Sequence, residues 1–117
     1  MTPDELKART KAFALRVIKL VDAMPRSPSG QVIGRQLLRA ATSVGANYRS
    51  ACRAQSRADF VAKISIVVEE ADESLYWLEL IGESGMVKRS RLDRLIKEAG
   101  ELVAIITASR KTARGLK

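Results

Sequence analysis

Glu69-Glu70-Ala71-Asp72-Glu73 is the densest run of side chains in this sequence that could do chemistry. Carboxylates so spaced can hold a hard divalent cation, and Glu98 with Glu101, as Glu-x-x-Glu, could supply a second pair. A cation cage needs its oxygens to converge. On helices turning about 100° per residue, Glu69 and Glu73 point away from an apolar stripe centred on Ala71, and Glu98 and Glu101 fall on the far side from Ala99. The sequence contains no histidine. That removes the usual general base, the serine and cysteine triads and helix-borne Glu-x-x-His metal sites. Cys52, the single cysteine, has arginines nearby in sequence but no partner base, and reads as a small buried apolar side chain. The expectation is a chain without catalytic residues, metal ligands or cofactor.

The basic residues form the other chemical pattern. Arg35, Arg39, Arg49 and Arg53 fall roughly 80 to 160° from Ala41 on one helix, a stripe about 27 Å long at 1.5 Å rise per residue. No acid lies between residues 26 and 58 to neutralise it. Two readings stand. The arginines pair with Glu69, Glu70, Asp72 and Glu73 of a neighbouring helix or subunit, or they form a strip for phosphate groups. Arg110, Lys111 and Arg114 add a basic end to the last helix.

Four amphipathic segments must position these residues. Thr2-Pro3-Asp4-Glu5 reads as a capping box with proline at the first helical position, opening a helix over about 3–24. Its inward face is Leu6, Thr10, Phe13, Ala14, Val17, Val21 and Met24. Ser27-Pro28 opens a second helix over about 28–54, with Ile33, Leu37, Leu38, Ala41, Val44, Tyr48 and Cys52 inward. Ser56-Arg57-Ala58-Asp59 opens a third over about 57–84, its aspartate reaching back to the serine amide. Phe60, Ile64, Val67, Ala71, Ser74, Leu78 and Ile81 recur along it at steps of four and three, and Gly85 ends it. Ser90-Arg91-Leu92-Asp93 reads as a further capping box, starting a fourth helix over about 91–113, with fraying expected from Arg110 onward. Short connections and the absence of proline after residue 28 predict one all-α domain, an antiparallel up-down-up-down four-helix bundle.

The third helix carries a second apolar face. Ala62, Ile66, Tyr76, Trp77 and Leu80 fall roughly 120 to 180° from Ala71, interleaved with Glu69 and Glu73. A helix apolar on both sides is usually covered on both sides, so Ile66, Glu69, Glu73, Trp77 and Leu80 are expected at a homo-oligomer interface.

The net charge of +8 over 117 residues is unevenly spread. Residues 1–25 carry five basic and three acidic groups, 26–58 six and none, 59–84 one and seven, 85–117 nine and three. One acidic segment offsets one basic segment of equal magnitude and leaves another over for an anionic partner. The lone cysteine fits a reducing compartment, and neither a secretion signal nor a stretch of about 20 apolar residues is present, so a cytoplasmic protein with no membrane contact is expected.

Gln36-Leu37-Leu38-Arg39-Ala40-Ala41, Ser43-Val44-Gly45-Ala46-Asn47, Ser56-Arg57-Ala58-Asp59-Phe60 and the acidic helix after them resemble the four-helix bundle proteins related to those encoded in intervening sequences of bacterial 23S ribosomal RNA. The resemblance runs from about Pro25 to about Thr112. Ser50 and Ala51 stand where that family typically has Glu-Gly, and Gly45 where proline is usual. It implies a homo-oligomer, with a ring-like pentamer among relatives, and no established enzymatic activity. Related accessory proteins of diversity-generating retroelements are basic pentamers that bind nucleic acid and a reverse transcriptase, an analogy at the level of fold. The acidic run also resembles the Glu-Glu-x-x-Glu helix of the all-helical nucleoside triphosphate pyrophosphatases, although that family usually ends its second motif in aspartate. The leading expectation is a non-enzymatic, oligomeric binding or scaffold module for RNA or DNA. A purely structural or protein-binding oligomer and a magnesium-dependent nucleotide pyrophosphatase are the alternatives.

Overall fold

In a computed structural model that describes residues 1–115, the chain forms four helices and no strand: α1 (Pro3–Asp22), α2 (Pro28–Ala51), α3 (Arg57–Glu83) and α4 (Arg89–Ala113). Consecutive helices pack side by side and α1 also meets α4, along a much thinner seam, while α1/α3 and α2/α4 do not approach. The body measures 45 × 22 × 20 Å, its long axis set by helices of about 25 residues at 1.5 Å each.

The core is made by the apolar stripes. Phe13, Val17, Leu37, Val44, Ile64, Val67, Leu78, Ile81, Leu92, Leu102 and Ile106 are almost completely buried. Two polar side chains share the core and both are satisfied. Thr10 donates its hydroxyl to the Leu6 carbonyl at 2.9 Å, and Ser74 donates to the Glu70 carbonyl at 2.8 Å. The predicted inward residues Ala14, Val21, Ile33, Leu38, Cys52 and Phe60 are only half-buried. Cys52 lies at the end of α2, where the chain turns out of the core.

Helix ends follow local hydrogen bonding, and here some expectations need correction. The α1 capping box forms as predicted: Thr2 accepts from the Glu5 amide at 3.1 Å, and Glu5 accepts from the Thr2 amide at 3.2 Å. The helix stops at Asp22, not Met24. The amides of Ala23 and Met24 bond three residues back, to Leu20 and Val21, which tightens the last turn before Pro25. The same tightening ends α2 at Ala51 rather than Ala54, with the Arg53 and Ala54 amides donating to Ser50 and Ala51.

At the start of α3, Ser56 caps the Asp59 amide at 3.0 Å. The Asp59 carboxylate reaches one residue further back than expected, accepting from the Gln55 amide at 3.1 Å and from Lys63 at 3.2 Å. Gly85 follows α3 with φ 76°, a left-handed conformation that glycine adopts without penalty. The predicted Ser90 capping box does not form. Lys88 stands at the cap with no side-chain bond to the helix, Ser90 lies inside the first turn, and Asp93 pairs with Arg89 at 3.3 Å. Buried Val87 anchors the connection just before this start. Helix α4 continues through Ala113, four residues into the basic tail that begins at Arg110, and Leu116 and Lys117 of that tail lie outside the described residues.

Candidate nucleic-acid interface and subunit face

Helix α2 holds its arginines outward because its opposite side is packed. Leu37, Ala40, Ala41, Val44 and Tyr48 are buried, whereas Arg35, Arg39, Arg49 and Arg53 are all exposed. None of the four makes an ion pair among the described residues. The first of the two readings therefore fails within the chain: the α2 arginines do not pair with the acids of their own α3. At the opposite edge of the sequence, Lys111 and Arg114 are exposed and Arg110 is half-buried.

The acids of α3 also face outward. Glu69, Asp72, Glu73, Glu79 and Glu83 are exposed, and only Glu70 turns to α2, where its carboxylate accepts from the Asn47 side-chain amide at 2.7 Å. The second apolar face of α3 is real but narrower than the helical wheel implies. Ile66 is 49% and Tyr76 54% exposed. Trp77 and Leu80, expected to stand clear of the chain's own core, are half-buried, and the Trp77 ring packs against the core cluster. A tryptophan ring is wide enough to reach around the helix toward the neighbouring seam. Trp77 donates its indole N–H to Glu73 at 3.2 Å and meets Tyr76 edge-on, with ring centroids 5.1 Å apart.

Glu98 and Glu101, read from the helical wheel as pointing away, instead face α1. Arg9 donates two parallel bonds to Glu98, from Nε at 2.8 Å and Nη2 at 2.7 Å, and a third from Nη2 to Glu101 at 2.7 Å. The bidentate fork holds the Glu98 carboxyl below its ordinary pKa and keeps the guanidinium charged. This clamp escaped the sequence reading: an Arg on one helix and Glu-x-x-Glu on another are visible, but nothing in their spacing says that α1 and α4 are neighbours. Glu70 and the Glu98/Glu101 pair thus engage different partners, and among the described residues no three metal-ligating side chains come together. Tyr48, buried next to Cys52, has its phenol pKa pushed up by desolvation.

The chain thus presents outward arginines on α2, outward acids on α3 and the exposed apolar Ile66 and Tyr76 beside those acids. Residues 5–108 match the model of the 23S rRNA-intervening sequence protein family. The chain belongs to that family. It is also similar to a crystal structure of a protein of unknown function from the S23 ribosomal protein family of Bacteroides thetaiotaomicron. The two are 33% identical, with 95% of this chain and 99% of the other covered and a TM-score of 0.87. No curated protein matches. Among the described residues no helix is long and apolar enough to cross a membrane.

Proposed function

We propose that this chain is a non-enzymatic, cytoplasmic homo-oligomer of antiparallel up-down-up-down bundles that binds RNA or DNA through phosphate contacts. The observation that carries the reading is the row of four exposed α2 arginines without an acidic partner in their own chain. Arg110, Lys111 and Arg114 add a second basic region at the end of α4. The antiparallel order is supported by Gly45 lying against Thr10 while Gly34 lies against Val21 and Met24, and by Arg16 and Lys19, late in α1, lining one cleft with Ser90 and Arg91 at the start of α4. Self-association is supported by the exposed Ile66 and Tyr76, which flank Glu69 and Glu73 on α3. The pentameric ring of relatives is the assembly the family resemblance favours.

Oligomerisation would gather several arginine rows on one particle, and multivalent contact strengthens weak phosphate binding without new chemistry. The few aromatic side chains offer no row for base stacking, so sequence preference should be weak. The test is mass by light scattering followed by titration with labelled RNA and DNA. Binding of both by an oligomer supports the reading; a monomer, or no binding at low salt, contradicts it.

A second reading, a structural or protein-binding oligomer, is favoured by the unpaired acids of α3, which complement the α2 arginines of another copy. If replacing the four arginines with glutamine dissolves the oligomer, the row serves the subunit interface and this second reading holds. Magnesium-dependent hydrolysis of nucleoside triphosphates is not expected. Pyrophosphate release abolished by Glu70→Gln would overturn that expectation.

A further inference from the structure

The thin seam between α1 and α4 opens into a cleft of about 290 Å³. Its lining holds Arg16 and Lys19 from α1 and Ser90, Arg91 and Arg94 from α4, above an apolar wall of Leu20 and Leu95. All four cations are exposed, and none takes part in an ion pair among the described residues. The nearby acid Glu98 is already engaged by Arg9. Each helix therefore presents two like charges three residues apart to the same opening, an arrangement that weakens helices and gives the fold nothing in return. The α4 start adds to the positive field: Lys88 provides no side-chain cap, so first-turn amides and the helix dipole sit beside Ser90.

We propose that this cleft is an anion site for the linked phosphate groups of a compact polyphosphate, either inorganic or carried by a nucleoside. The guanidinium forks of Arg16, Arg91 and Arg94 can each take a phosphate in bidentate fashion while Lys19 contributes a point charge. The i,i+3 spacing makes the footprint about 4.5 Å long on each helix. That suits neighbouring phosphates of one small molecule. A nucleic-acid strand would need cations continuing past both ends. The site goes beyond the proposed nucleic-acid contact and shares none of its residues.

The test is calorimetric titration of the full-length protein, in its native assembly, with tripolyphosphate, a nucleoside triphosphate and a nucleoside monophosphate at about 50 mM salt, where phosphate contacts are strong. Wild type should bind both triphosphates, and the monophosphate roughly tenfold or more weakly. The double variant Arg91→Gln/Arg94→Gln and the single variant Lys19→Gln should both lose affinity for tripolyphosphate with an unchanged helical circular dichroism signal, while Arg35→Gln/Arg39→Gln keeps it. Absence of tripolyphosphate binding, equal binding by wild type and both cleft variants, or loss only in the α2 variant would overturn the site. So would a cleft variant that, in a parallel titration with duplex DNA, loses the DNA but not tripolyphosphate. None of these results removes the α2 row from nucleic-acid binding, which is read separately with the α2 variant.

Discussion

The α1/α4 and α2/α3 seams use charge in opposite ways. Helices α1 and α4 touch little, and an arginine fork closes their seam: Arg9 satisfies both Glu98 and Glu101. Helices α2 and α3 are opposite in charge and closely packed, yet their one polar side-chain link is Asn47 to Glu70, and their remaining arginines and acids face away from each other. Where apolar contact already joins two helices, the charges stay unpaired across the seam. Where it is thin, the Arg9 fork holds the helices together, although Arg16, Lys19, Arg91 and Arg94 of the same seam make no ion pair among the described residues.

The sharpest way to break that contrast is to weaken the apolar packing. Ile64 of α3 is fully buried, and Ile64→Ala should cost about 2–5 kcal/mol in urea unfolding, from lost transfer energy and the cavity left behind. Next comes the proposed subunit face. Ile66→Glu adds a charge one turn before Glu69 and should turn the proposed oligomer into a helical monomer in light scattering. Ile66 is a cleaner target than Leu80, which is half-buried in its own chain.

Breaking the fork has a smaller effect. Arg9→Ala strands two carboxylates, one of them with a side chain only 17% exposed, and should destabilise by about 1–2 kcal/mol. The sign with pH follows from Glu98, whose folded pKa is lowered mainly by the hydrogen bond from Arg9. Its contribution is complete above the unfolded glutamate value of about 4.3 and is lost as pH falls through the lower folded value. The stability gap between wild type and Arg9→Ala should therefore be constant near neutrality and shrink in acid. A gap that widened in acid would contradict the assignment. The smallest effect is at the cap: Thr2→Ala should cost about 1 kcal/mol or less in thermal unfolding.

Much of this is legible in the sequence. The stripe from Ile64 to Ile81 and the cap at Thr2 are written in local spacing, because helix periodicity and first-turn hydrogen bonds depend only on near neighbours. The fourth helix shows the limit. Ser90 and Asp93 carry a capping signature, yet the helix begins at Arg89 next to the buried Val87. Tertiary burial outweighs a cap. The fork at Arg9 and the cleft at Arg16, Lys19, Arg91 and Arg94 were illegible for another reason: each joins residues more than 70 positions apart, and single-helix periodicity assigns faces without assigning neighbours. The α3 second face is narrower than the wheel implies because Trp77 packs against the core cluster and Leu80 is half-buried, which a wheel of points does not show.

The central claim is that the α2 arginines are reserved for phosphates of a partner, and the salt dependence of binding tests it most directly. Affinity of wild type and of Arg35→Gln/Arg39→Gln/Arg49→Gln/Arg53→Gln for one duplex and one single-stranded RNA should be measured across a salt series at matched oligomer mass. The account predicts that wild-type affinity falls steeply with salt, and that the variant binds every sequence more weakly, with a log–log slope for duplex DNA shallower by about 3 to 4. An intact oligomer whose affinity and slope are unchanged by the four substitutions would contradict it.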